Sequence, residues 1–221
     1  MLKKNFFYAL LILFCQLVSA ERPKPDYKVL YNNDTTNILS CKSPWRIPGE
    51  TVDLDKYLIE TIKEASDVDV HLLSPGMGWI PWWQSKVYPD HYQWWQNWTG
   101  LRPDAWGQYV LNGGDLIKTL TETCRQLGIA PFVSFRINDA HMQEFVAKKH
   151  PRSISVSKFY TENLEYMLNP EHLKIKGYSG LRGQDWAIPQ VRDYKFNLMK
   201  EVIENYDLDG FEIDFLRDNH I

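Results

Sequence analysis

An α/β fold, laid out as about four strand-helix units or the N-terminal half of a (β/α)8 TIM barrel, is predicted by three features of the sequence. Short apolar runs alternate with amphipathic helical stretches, which argues for a parallel sheet covered by helices. Connections leaving the strands are long, roughly 20, 40 and 55 residues, whereas the returns at "QLGIAP" and "NYDLDGF" take only a few. The first long connection starts "LYNNDTTN" without a glycine, so the dinucleotide fingerprint of the competing doubly wound sheet is missing and no cofactor is expected.

Each element follows from its own pattern. "YKVLYNND" (Tyr27 to Asp34) reads as the first strand, and "DLDKYLIETIKEA" (Asp53 to Ala65) as a helix that Asp53 can cap. "VDVHLLS" (Val68 to Ser74) is the second strand. After a tryptophan-rich excursion, the helix Asp115 to Leu127 shows an apolar stripe of Leu116, Ile117, Leu120, Cys124 and Leu127, with Gly128 in the position that ends helices. "IAPFVSFRI" (Ile129 to Ile137) is the third strand, Val191 to Tyr206 a further helix, and "GFEIDFLR" (Gly210 to Arg217) the fourth strand. A barrel needs eight strands, so the expectation is a chain truncated after strand 4, or a half-barrel that closes against a second copy as a homo-oligomer.

Residues 1–20 combine a basic "MLKK", the apolar "NFFYALLILFCQL" and small residues ending at Ala20, the pattern of a cleaved signal peptide; the apolar run is short for a membrane span. Residues 21–221 then form the barrel domain, secreted or periplasmic, with no membrane partner once the leader is cut. Without Lys3 and Lys4 the balance is 23 basic to 28 acidic side chains, a net charge of about −5 that offers no footprint for nucleic acid. Cys41 and Cys124 remain; they either pair or stay as two buried thiols.

Alternation along the fourth strand puts Glu212, Asp214 and Leu216 on one face and Phe211, Ile213 and Phe215 on the other. The aromatic and branched set is expected under the helices, so Glu212 and Asp214 point into the barrel, with Asp214 nearer its mouth. Carboxylates in that position need partners, and Arg136 or Arg217 can supply them. The other strand ends add Asn32, Asn33 and Asp34 from "YNND", His71 and Ser74 from "VHLLSPG", and Arg136, Asn138, Asp139 and His141 from "FRINDAH". Asn and Asp are common turn residues, so it is their clustering at strand ends that points to a binding site. No metal-ligand spacing stands out, and Ser74 and Ser134 lack a nucleophile elbow.

Six of the nine tryptophans fall between Trp79 and Trp98, a density that a core does not require, in a stretch too polar for a core helix and too rich in Pro and Gly for a strand. Sugar rings stack an apolar C–H face on indole while their hydroxyls find Asp, Asn, Arg and His, the mix present here. Trp79, Trp82 and Trp83, nearest the strand end, are the expected stacking residues, ahead of Trp94, Trp95 and Trp98.

"AIPQVRDYKFNLMKEVIENYDLDGFEIDFLRD" (Ala187 to Asp218) resembles a segment of (β/α)8 glycoside-hydrolase-like proteins, in which a helix opening on P-x-V-R leads into a YD-x-DG-x-E-x-D-F-x-R strand. "VLYNNDTTNIL" is similar to the first barrel strand of the same group. The resemblance implies an exported protein acting on an oligo- or polysaccharide, with Asp214 as nucleophile or key acid/base and Glu212 and Arg217 shaping its surroundings. It also implies a partner carboxyl group on a later strand, about 5 Å away for retention or further for inversion. Glu212 is a poor substitute, since two residues along a strand set it about 6 to 7 Å deeper. The alternatives are a carbohydrate-binding or catalytically inactive barrel, or a non-functional fragment.

Overall fold

A computed structural model describes residues 25–35, 52–77, 79–139, 141–142, 145, 149–168 and 183–215. In chain order the elements are β1 (Leu30–Asn33), α1 (Leu54–Glu64), β2 (Val70–Leu73), a short antiparallel pair β3 (Gly76–Met77) and β4 (Ile80–Pro81), α2 (His91–Thr99), α3 (Ala105–Leu111), α4 (Leu116–Leu127), β5 (Ala130–Arg136), α5 (Lys158–Glu162), α6 (Pro189–Asn205) and β6 (Gly210–Asp214). The proposed leader, Cys41, Leu216 and Arg217 lie outside the described residues.

Local chemistry sets the helix ends. Asp53 accepts the Lys56 backbone N–H at 2.9 Å, and Asp115 accepts that of Lys118 at 3.0 Å, each satisfying an otherwise unpaired first-turn donor. Gly128 closes α4 at φ 73°, a left-handed conformation open to glycine at little cost. Pro189 occupies the first turn of α6, where its missing N–H is not needed.

The four long strands form one parallel sheet in the order β1-β2-β5-β6. That order never reverses, so the sheet has no switch point of the doubly wound kind and grows in one direction, as barrel sheets do. Helix residues Leu54, Leu58, Ile62, Leu116, Leu120, Leu198 and Val202 share one core with Leu73, Val133 and Phe135, with Phe211 packed against it. Val70, Leu72 and Ala130 form a separate cluster with Tyr27 and Phe132. By alternation these two sets lie on opposite faces, and the helices cover one of them.

Packing corrects several expectations. Leu127 is 41% exposed, because it falls on the last turn of α4, where Gly128 already turns the chain into β5. Phe211 stacks on Phe135 at 5.3 Å, but Ile213 and Phe215 are 46% and 53% exposed instead of lying under helices. β6 is an edge strand among the described residues. Cys124 is a free, fully buried thiol whose pKa is pushed up to about 12 by burial. No described helix is long and apolar enough to cross a membrane.

The largest correction concerns the tryptophan-rich excursion. It folds as β3, β4, α2 and α3, with Trp79, Trp82, Trp83, Trp95 and Trp106 all buried in the main core. Trp82 lies 4.0 Å from Trp106 between ring centroids, and Trp95 donates its indole N–H to Ser153 Oγ at 2.8 Å. Some polar residues between the rings are exposed, as Gln93 and Asn97 of α2 are, and others hydrogen bond inside. His91 is one of the latter: its Nε2–H donates to the Ile154 carbonyl at 2.8 Å, and its Nδ1 accepts from the Tyr88 hydroxyl at 3.1 Å.

Candidate functional site

On the sheet face away from the helix core, register and alternation bring together polar side chains from three strands and one strand end. Ser134 is the register partner of Glu212, and Arg136 that of Asp214. Ser134 Oγ donates to Glu212 Oε1 at 2.5 Å, and Asn32 Nδ2 donates to the same oxygen at 3.1 Å. One layer nearer the strand ends, Arg136 Nε lies 3.4 Å from Asp214 Oδ2, while its Nη2 donates to Asp34 Oδ2 at 3.2 Å.

A single guanidinium thus holds two carboxylates, one from each side. Asp214 is 7% exposed, and removing such a charge from water costs several kcal/mol unless a partner offsets it, which Arg136 does. Three carboxylates and one cation leave this face with a local charge of −2. Fixed carboxylate oxygens, an amide and a hydroxyl at the C-terminal ends of parallel strands can accept and position the hydroxyl groups of a polyol.

The turn after β5 extends the cluster. Asp139 Oδ1 accepts the His141 backbone N–H at 3.1 Å and contacts His141 Nδ1 as well; Asn138 is 6% exposed. Lys195 of α6 donates to the Ile137 carbonyl at 3.0 Å, next in sequence to Arg136. It is 1% exposed, with its Nζ 4.9 Å from the ring of Trp79 and 4.3 Å from that of Trp186. Burial lowers its pKa to about 7, partly opposed by the negative charge of Asp139.

Two expected members lie elsewhere. His71 and Asn33 share the helix-covered face, because their parity is that of Leu73, and Asn33 Nδ2 donates to His71 Nε2 at 3.3 Å. His71 is fully buried and its pKa falls to about 4 through burial, so it forms part of the packing between sheet and helices. Trp79, Trp82 and Trp83, expected as open stacking faces, are 7%, 5% and 2% exposed. Arg217 lies outside the described residues.

Sequence reasoning passed over Ser134 and Lys195 as partners, while Asn32, offered among the strand-end residues of "YNND", does join the cluster. Ser134 and Asn32 each stand two residues before a charged strand-end residue, Arg136 and Asp34, and so share its face. Lys195 sits on the apolar stripe of Val191, Leu198 and Val202, and a lysine on such a stripe is a readable signal.

A small cavity of about 20 Å³ adjoins the cluster, lined by Ser74, Trp79, Trp83, Ser134, Arg136 and Asp139 among others. Among the described residues, no three His, Cys, Asp or Glu side chains are grouped to hold a metal ion.

No family model and no curated protein matches the chain. A solved structure to which it is similar is that of a noncanonic maltogenic alpha-amylase, AmyB, from Thermotoga neapolitana. The match has 16% identity and a TM-score of 0.45, and covers 85% of this chain and 39% of that one. The chain therefore spans about two-fifths of the length of that protein.

Proposed function

We propose that the chain carries part of a glycoside-hydrolase site acting on an oligo- or polysaccharide, with Asp214 as its central carboxylate. The observation that supports this reading is the bracketing of Arg136 by Asp214 and Asp34 at the C-terminal ends of parallel strands. Glycoside hydrolysis passes through an oxocarbenium-like transition state, which a carboxylate stabilises by attack or by charge. Arg136 orients Asp214 for that role. Asp34, across the same guanidinium, is a second carboxylate within the cluster, while Glu212, deeper and tied to Ser134 and Asn32, serves to fix hydroxyl groups. The leader-like residues 1–20 fit a protein exported to meet such a substrate.

A second reading, carbohydrate binding without turnover, is favoured by the same bonds, since Glu212 and Asp214 already have partners. Release of reducing ends from a panel of neutral and acidic polysaccharides separates the two. Hydrolysis by the wild type that falls about a thousandfold or more in Asp214→Asn supports the enzyme reading. Retention of a polysaccharide without hydrolysis supports the binder, and unchanged turnover in Asp214→Asn removes Asp214 from the central role.

A further inference from the structure

We propose that Trp79 Nε1–H and Ser74 Oγ form a hydrogen-bonding notch that takes one neutral hydroxyl group of the ligand held at the Arg136–Asp214 cluster. This rests on the carbohydrate reading above and changes the part given to Trp79, from a stacking face to a directed donor.

Both atoms are buried without a hydrogen-bond partner, in residues only 7% and 5% exposed that line the same cavity. A buried donor or acceptor left unpaired costs about 1–3 kcal/mol, so two beside one cavity call for a partner placed between them. Trp79 cannot swing its N–H out to water. Its ring packs 5.3 Å from Phe135 between centroids and 6.4 Å from Trp186, with Lys195 Nζ against it, and its carbonyl accepts from the Tyr194 hydroxyl at 3.0 Å. Its backbone also sits at φ 64°, the left-handed region that a bulky aromatic residue adopts only under constraint.

The cavity selects the chemistry of its occupant. At about 20 Å³ it admits one oxygen atom and excludes a sugar ring. Indole N–H only donates, whereas a serine hydroxyl donates or accepts, so the occupant must accept from one and exchange a hydrogen bond with the other. A hydroxyl or a water does both. An anionic oxygen would accept from Trp79 but would meet the Asp139 carboxylate on the same wall. Ser134 and Arg136 line the cavity and also contact Glu212 and Asp214, so a group entering it belongs to a ligand seated on the carboxylates. With no ligand present a water fills the notch, and the ligand hydroxyl displaces it.

The test uses the Asp214→Asn chain, labelled with ¹⁵N at its indoles and backbone, with cellohexaose, maltohexaose, xylohexaose and mannohexaose as probes. The Trp79 indole signal is assigned by its loss in Trp79→Phe, or by its contacts to Phe135 should that variant not fold. The expected result is that one hexaose shifts the Trp79 indole signal, and that Ser74→Ala weakens its binding about tenfold at an unchanged melting temperature. If a hexaose shifts the Arg136 backbone amide but leaves the Trp79 indole signal in place, the notch holds only a structural water; that overturns the inference while the carbohydrate reading stands. If no hexaose moves any signal, both are overturned.

Discussion

Trp83 and Glu201, 118 positions apart in sequence, are joined by a buried hydrogen bond of 3.1 Å from the indole N–H to the carboxylate. Glu201 also accepts from Ser85 Oγ at 2.6 Å, from the Lys86 backbone N–H at 2.5 Å and from that of Val87 at 3.1 Å. One carboxylate on α6 thus satisfies four donors of the segment after β4 and locks the tryptophan-rich excursion to that helix. Glu201→Ala strands those donors in a buried setting and is expected to cost about 3 kcal/mol or more, with Glu201→Gln milder. Urea unfolding gives the loss, and near-UV circular dichroism reports whether the tryptophans loosen. A cost below about 1 kcal/mol would show that the clamp is dispensable.

Asn32 and Glu212 meet across the whole sheet. They stand on its two edge strands, three spacings or about 14 Å apart if the sheet were flat, yet their side chains are 3.1 Å apart. The sheet therefore curls around this pair. A double-mutant cycle with Asn32→Ala and Glu212→Ala is expected to give a coupling of about 1 kcal/mol in unfolding free energy. Additive single effects would mean that the contact does not hold in solution.

Acid is expected to weaken the fold above the range in which most carboxylates titrate. Burial holds both His71 and His91 at about 4, against an ordinary 6.5. The unfolded chain therefore binds more protons than the folded one between these values. The contribution of the two rings is complete above about 6.5 and is lost as pH falls to about 4, by about 1.4 kcal/mol per unit for each ring. Urea midpoints at pH 7, 6 and 5 should fall accordingly, and His91→Gln should flatten the slope. A level profile over that range would contradict the burial of both rings.

Lys195 acts in the opposite window. Its pKa drops from 10.5 to about 7 on folding, mainly through burial, so between these values the unfolded chain again holds the extra proton and stability rises with pH. From pH 7.5 to 9.0 the wild type is expected to gain about 2 kcal/mol, and Lys195→Met none. Equal slopes in the two proteins would place the lysine ammonium in water instead of between Trp79 and Trp186.

Most helices and strands were legible because their signals are local. Asp53 and Asp115 cap the helices that their positions suggest, Gly128 ends α4, and the alternation in "GFEID" separates Phe211 from Glu212 and Asp214 as it stands in the fold. The helix α2 was not legible, because "HYQWWQNWT" lacks the simple apolar stripe of a helix packed on one side: His91, Tyr92 and Trp95 are buried, and Trp94 and Trp98 lie half-buried beside them. The placement of His71 was not legible either. A histidine near a strand end reads the same whether it faces a site or a helix, and only the packing of Leu73 shows which.

By itself, the sequence determined the alternation of strands and helices, the ends of those helices and the shared face of Glu212 and Asp214, since each depends on residues a few positions apart. Only the tertiary structure decided that Arg136 joins Asp34 to Asp214, that Lys195 lies between two indoles, and that the tryptophans expected as open faces are buried. The physical reason is that burial and charge pairing depend on partners tens to hundreds of residues away, and these meet only when the sheet curls and the helices close over one of its faces.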